Sequence, residues 1–290
     1  MLTKLESSVP GGVNGMRVAT YLDRAYPMLG RVRINKLLSA RQVKLNGERA
    51  GGEALVSSGD TIVCYLEGKY DLMLRIIYSD AHMLCFAKPA GLPVDKDDMG
   101  IGEDTVLSRL KLINPDARLV HRLDTGTAGV MLAALDEDAE KELVRLFREH
   151  LVEKHYSATV TGRMPEKHGT IRGYITKDAK QSRVKAVSAY SSGALEAETR
   201  YSVRKEYKQQ GILLSVLDIT IPTGRTHQIR AQLSSIGHPL LGDDKYGDRD
   251  INRRLNKTET DLTSEKIIIR DCEAAGRYRG LSFSLVKPEE

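Results

Sequence analysis

Two spacings of apolar residues divide this chain. Near its start, Val18, Tyr21, Leu22 and Ala25 in "RVATYLDRAYP" fall on one side of a helix, and "RVRINKLLSA" carries a second amphipathic pair of turns ending near Ser39. An Asn-Gly turn at Asn46 and Gly47 in "VKLNGERA" then predicts a hairpin, and "VSSGDTIVCYLE" predicts a turn followed by an alternating strand. The polar segment "EGKYD" reads as a linker.

Beyond Leu72 strands dominate. "LMLRIIYSDAHMLCFAKPAG" reads as two strands about a polar turn, closed by a Pro-Gly loop. The apolar run "VMLAAL" is followed by "DEDAEKELVRLFREH", acidic at its start and basic at its end as the helix dipole favours, with Leu143, Leu146 and Phe147 on one side. "KHYSATVTG" is a further strand, and "SRVKAVSAY", "LEAETRYSVRKEY" and "GILLSVLDITIPTG" predict an antiparallel meander. In "IPTGRTHQIRAQLSSIGHPLLGDDKYG" a strand turns at Gly224 into a helix that stops at Gly237. The pattern predicts an α+β chain: a small αα-β domain over 14–68, then a mixed, largely antiparallel-sheet domain over 72–290.

Composition narrows the setting. The three cysteines, Cys64, Cys85 and Cys272, are far apart in sequence and fit neither a disulfide framework nor a zinc spacing, which points to a reducing compartment and no structural metal. The first residues hold no apolar core of signal-peptide length, and no stretch approaches the roughly 20 apolar residues of a membrane span. A soluble cytoplasmic protein is expected, with no membrane partner.

Charge changes the picture more. Up to Lys69 there are ten Lys/Arg against six Asp/Glu, and 34 against 33 thereafter, so most of the +5 excess lies in the first quarter. Arg24, Arg31, Arg33, Lys36, Arg41, Lys44 and Arg49 are accompanied by a single acid, Glu48, the density of a surface that neutralises phosphates. A solvated helix face is the plainer alternative. The helix, helix, hairpin order resembles the small S-four-type RNA-binding domain over residues 14–68, departing from it at Ala40 and Arg41, where a basic residue and a glycine are usual.

Three segments carry candidate chemistry. In "HRLDTGTAG", Asp124 stands at a Gly/Thr turn, where an aspartate commonly does no more than bond the next backbone amides. In "VEKHYSATVTG", Tyr156 on a strand could be ordinary packing. Arg225, His227 and Arg230 surround the start of the helix after Gly224, where anion binding or capping would account for them.

Together and in this order these segments resemble the RluA family of RNA pseudouridine synthases. "KPAGLPV", "HRLDTGTAGV", "EKHYSATVTG" and "TGRTHQIRAQLSSIGHPLLGDDKYG" match the family's motifs over residues 72–247. Thr125, Gly126 and Ala128 depart from its usual loop residues, and 248–280 finds no match. The resemblance implies isomerisation of uridine without cofactor or metal, in RNA that is ribosomal more often than transfer RNA. Asp124 would act at the anomeric carbon, Arg230 would hold its carboxylate bidentately, and Tyr156 would stack on a uracil flipped from its helix. Arg122 would fill the vacated space, while Arg31, Arg33, Lys36, Arg41 and Lys44 would bind phosphates. A monomer is expected. Two rivals stay open: a non-catalytic RNA-binding or ribosome assembly factor on the same fold, and a hydrolase pairing Asp124 with a second acid such as Asp243 or Asp244, although "GDDKYG" reads as a turn.

Overall fold

The computed structural model describes residues 2–178 and 183–285, which fall into two compact units. The first comprises Met1–Leu74 with Gly91–Ala117. It contains β1 (Leu2–Ser8), β2 (Asn14–Arg17), α1 (Val18–Ala25), α2 (Gly30–Ser39), β3 (Val43–Leu45), β4 (Glu48–Arg49), β5 (Leu55–Ser57), β6 (Thr61–Glu67) and α3 (Val106–Ile113). Strands run in the order β1-β6-β3-β4, with β2 and β5 as a separate pair. Val18, Tyr21, Leu22 and Ala25 of α1 are all buried, against Ile34, Leu37 and Leu38 of α2 and Cys64 and Leu66 of β6. The hairpin turn has Asn46 and Gly47 both at positive φ, as the type I′ geometry demands. Arg41 itself adopts φ 55, so a non-glycine residue makes the left-handed turn where the S-four pattern usually has glycine.

This unit differs in extent from the expected 14–68. Ahead of residue 14, β1 pairs with β6 along its whole length, a strand that the sequence pattern did not signal. From the other end, the backbone N–H groups of Glu103 and Asp104 donate to Ala25 O at 3.1 and 2.9 Å, tying 91–117 to α1. Asp104 also takes the Arg109 fork, Nε at 2.6 Å and Nη2 at 2.9 Å, and the hydroxyl of Tyr70.

The second unit comprises Arg75–Ala90 and Arg118–Glu290. Its strands are β7 (Arg75–Ser79), β8 (Met83–Lys88), β9 (Arg118–Leu119), β10 (Ala128–Ala134), β11 (Val152–Thr161), β12 (His168–Asp178), β13 (Arg183–Val187), β14 (Leu195–Gln209), β15 (Ile212–Ile221), β16 (Leu262–Ile269) and β17 (Ser282–Ser284). The helices are α4 (Glu137–Arg148), α5 (Gln228–Ser235) and α6 (Arg249–Arg254). Among the described residues these strands form one sheet of eleven, ordered β13-β12-β14-β15-β11-β16-β10-β8-β7, with β9 on β10 and β17 on β16. Only β10 and β16 pair in parallel, so the sheet is mixed and largely antiparallel as expected. The unmatched segment 248–280 supplies β16, a central strand between β11 and β10.

That parallel contact depends on Gly129. A Cβ there would lie 2.2 Å from Ser264 O, so any side chain would force β10 off β16 just after the Asp124 loop. Helix α4 is N-capped by Asp136, which accepts from Ala139 N–H at 2.8 Å, and buries Leu143 and Leu146, each contributing about 1.5–3 kcal/mol. No helix among the described residues is long and apolar enough to cross a membrane.

Candidate active site

Asp124 lies in the loop between β9 and β10. Val120 and Leu123 are buried and anchor this loop, and Thr127 N–H closes a turn on Asp124 O at 3.0 Å. His121 turns inward: Nε2 accepts from Leu132 N–H at 2.9 Å and the ring stacks on Phe147 at 4.4 Å. Loss of solvent, with Lys154 nearby, pushes His121 down to about 3, so it is a neutral acceptor that fixes the loop. Arg122 points outward and is exposed.

Beneath the loop, Lys88 ends β8 and is almost wholly enclosed. Its Nζ donates to Pro89 O at 3.0 Å and Thr125 O at 2.9 Å, stitching the residue after Asp124 to the sheet. Burial lowers Lys88 to about 7, with Asp124 pulling the other way.

The carboxylate of Asp124 makes no hydrogen bond to the following backbone amides among the described residues. Its Oδ2 accepts from Arg230 Nη1 at 3.2 Å, while Oδ1 has no hydrogen-bond partner there; the side chain is 23% exposed. Contrary to expectation, Arg230 does not hold Asp124 bidentately. Its fork is occupied by Asp243, with Nε to Oδ2 at 2.7 Å and Nη2 to Oδ1 at 2.9 Å, and Nη2 also reaches Asp244 Oδ1 at 2.9 Å. One edge of the guanidinium is thus committed to a fully buried acid, and Asp124 is met by Nη1 alone. Burial alone would raise Asp243, but the Arg230 fork and the N–H groups of Tyr246 and Lys245 bring it below the ordinary carboxylate range. Burial would likewise lower Arg230, yet Asp243 and Asp124 hold it above its ordinary value.

Arg230 is carried by α5, whose buried side is polar. Gln228 donates to Glu198 O at 2.8 Å, and Gln232 donates to Ile171 O and Ala197 O at 3.1 Å each, so amides fix this helix on β12 and β14. The helix ends as predicted at Gly237, φ 84, with His238 N–H on Leu233 O.

Tyr156 is buried on β11 at a bulge. Opposite β16, His155 pairs with Lys266 but Tyr156 pairs with Ser264, so Glu265 is passed over and the added twist re-aims the tyrosine. Burial, then the field of Asp124, raises its phenol above the ordinary range, leaving a protonated ring with a polar tip.

The structure therefore brings Asp124, Arg230 and Tyr156 together. The other predicted binders belong to the first unit: Arg31, Lys36 and Arg41 are exposed, Arg33 donates to Glu67 O at 3.1 Å, and Lys44 lies 5.7 Å over the Tyr65 ring. Sequence reasoning missed Lys88, and it named Asp243 only as a possible second acid of a hydrolase, not as the partner of Arg230. For Asp243 the turn reading was half the answer, since Oδ1 does accept from Lys245 and Tyr246 N–H at 2.9 Å each; its other partner lies 13 residues away. Among the described residues no group of three or more His, Cys, Asp or Glu side chains is placed to hold a metal ion.

Against known proteins, residues 82–235 match the family model of RNA pseudouridylate synthases. The chain is 31% identical over 258 residues to ribosomal large subunit pseudouridine synthase C of Rickettsia felis, covering 81% of this chain and 83% of the relative. It is 30% identical over 267 residues to the Escherichia coli protein of that name, covering 86% and 81%. The fold is similar to the solved structure of human RNA pseudouridylate synthase domain containing 1, with a TM-score of 0.64, 24% identity, and 77% and 87% of the two chains covered.

Proposed function

The chain belongs to the RluA-type family of RNA pseudouridylate synthases, and on that premise we propose that it isomerises uridines of large-subunit ribosomal RNA through Asp124. It is an RNA pseudouridine synthase; the address and the residues are our reading. The observation that carries the reading is the half-held carboxylate: Oδ2 of Asp124 is fixed by Arg230 at 3.2 Å, Oδ1 has no hydrogen-bond partner among the described residues, and the side chain keeps 23% of its surface exposed. The names of the relatives favour ribosomal RNA over transfer RNA.

Isomerisation breaks the bond from uracil N1 to C1′ and makes one from C5 to C1′. The C5 proton leaves and N1 takes one up, so composition and oxidation state are unchanged. An oriented carboxylate meets the need at C1′, whether it attacks the carbon, stabilises its positive character or removes a sugar proton. Tyr156 supplies a stacking face for a base taken out of its helix, and Arg122, exposed beside the aspartate, fills the gap left in the RNA. In the first unit, the S-four-type assignment gives Arg31, Arg33, Lys36, Arg41 and Lys44 a phosphate-binding role. The same reading has the protein work as a monomer in the cytoplasm.

The hydrolase alternative needs a second acid able to exchange a proton. Asp243 is held ionised by a bidentate guanidinium and two backbone amides, which suits it to anchoring rather than acid catalysis. Mapping pseudouridines across ribosomal and transfer RNA from cells with and without this protein tests the address. Loss of sites confined to large-subunit ribosomal RNA is the expected result; loss confined to transfer RNA would overturn it.

A further inference from the structure

His227 stands beside Asp124, and the isomerisation chemistry gives it no task. It is the N-cap of α5 with φ 50 and ψ 24, a left-handed conformation uncommon outside glycine, in which asparagine, aspartate and histidine are the most enriched of the other residues. Its two ring nitrogens face different groups. Nδ1 lies 3.0 Å from the hydroxyl of Tyr246, and Nε2 lies 3.9 Å from Oδ2 of Asp124.

The surroundings favour one of the two tautomers. The hydroxyl oxygen of Tyr246 already accepts the N–H of Val184 at 2.9 Å, so its own proton is available to donate. Among the described residues the acceptor within reach is Nδ1 of His227. An imidazole that accepts at Nδ1 bears its hydrogen on Nε2, and that orientation presents a donor, not a lone pair, to the carboxylate. Tyr246 braces both neighbours of Asp124: its ring meets His227 edge-on at 5.6 Å, and the Arg230 guanidinium lies 5.3 Å over its face. Burial favours the neutral imidazole; Asp124 and Asp243 oppose it, and Arg230 and Lys245 reinforce it.

We infer that His227 is a positioning residue for Asp124: held as the Nε2–H tautomer by Tyr246, it is the second donor to Oδ2 beside Arg230, leaving Oδ1 to meet the ribose. At 3.9 Å the contact is longer than a hydrogen bond, and a shift of roughly 1 Å in the aspartate closes it. The inference rests on the reading of Asp124 as the reacting carboxylate.

The two amide replacements of His227 separate this role from a structural one. Asn tolerates the left-handed backbone but its amide stops near the Nδ1 position, whereas Gln is the poorer fit to the backbone but carries an N–H as far out as Nε2. Turnover is read as tritium release from a C5-tritiated transcript of large-subunit ribosomal RNA, with KM and RNA affinity measured alongside. We expect His227→Gln to keep kcat within roughly tenfold of wild type and His227→Asn to lose roughly a hundredfold, at little cost in KM. Nitrogen-15 NMR of histidine-labelled full chain should show His227 protonated at Nε2, and Tyr246→Phe should erode that preference. Asn equal to or better than Gln, full activity in both, or a wild-type proton on Nδ1 would overturn the inference. Asp124→Asn in the same assay keeps the two readings apart: turnover in that variant would sink the role of Asp124, whereas an inactive Asp124→Asn with the reverse order for His227 would sink only the role of the histidine.

Discussion

Two buried guanidinium–carboxylate clusters among the described residues differ in what the guanidinium does beyond its bidentate pair. In the first unit, Asp104 and Arg109 make a bidentate pair, both side chains nearly without solvent, and the Tyr70 hydroxyl occupies the remaining carboxylate edge. In the second, Arg230 makes an equivalent pair with Asp243, whose side chain is 0% exposed, but extends a further N–H to Asp124, which is 23% exposed. In the closed cluster both oxygens of Asp104 are taken, by the Arg109 fork and by Tyr70. The open one commits an entire carboxylate to holding the guanidinium still, and so aims it at a second carboxylate that keeps one oxygen free. A buried ion pair is weak evidence for net stability, because desolvation offsets the Coulombic gain. Its use here is geometric.

Breaking each pair in the same way gives the largest expected effects. Arg109→Met and Arg230→Met each leave a buried carboxylate without its partner, and each should cost about 3–5 kcal/mol in urea unfolding. A loss below about 1 kcal/mol for Arg230→Met would mean that the Lys245 and Tyr246 amides suffice for Asp243. Arg-to-Lys replacements sharpen the contrast. Arg230→Lys keeps the charge without the planar fork and should lower turnover roughly a hundredfold, about 2.7 kcal/mol, whereas Arg109→Lys should change unfolding but not turnover. Equal turnover in both variants would erase the distinction between the open and the closed cluster.

Smaller effects are expected away from the carboxylates. Tyr156→Phe retains the stacking ring and loses the polar tip, so RNA affinity should hold while turnover falls roughly tenfold, about 1.4 kcal/mol. If affinity drops and turnover of bound RNA does not, the tyrosine only binds. Replacing Arg31, Arg33 and Lys36 together with Ser should flatten the slope of log affinity against log salt by roughly 0.7–0.9 for each phosphate that is no longer neutralised. Arg31 already pairs with Asp23 at 3.2 Å and Arg33 with a backbone carbonyl, so this is the smallest of the expected changes. An unchanged slope would return the basic run to a solvated face.

What could be read from sequence was what local chemistry dictates. The Asn46-Gly47 hairpin, the helix in "DEDAEKELVRLFREH" and the stop at Gly237 each depend on residues close to one another in the chain. The mixed sheet was legible as a class, but its centre was not: β16 is flanked by no recognisable motif, and its parallel seat beside β10 depends on a close approach at Gly129 that only the fold reveals. The same limit governs the site. Asp124, Tyr156 and Arg230 stand in patterned segments, but the division of Arg230 between Asp243 and Asp124 is settled by the loop after α5 folding back on the helix. His227 is joined through Tyr246 to Val184, 43 positions earlier. Lys88 was hidden for another reason: at a strand end it resembles any solvated lysine, and its enclosure comes from the Asp124 loop above it.

The central claim is that the open carboxylate does the chemistry, and Asp124→Asn tests it most directly. The amide is nearly isosteric and can still accept from Arg230 through its oxygen, so fold and RNA affinity should survive. Tritium release from C5-labelled RNA should fall by more than about a thousandfold, over about 4 kcal/mol of barrier. Release within roughly tenfold of wild type, in a protein that still binds RNA and unfolds normally, would contradict the claim.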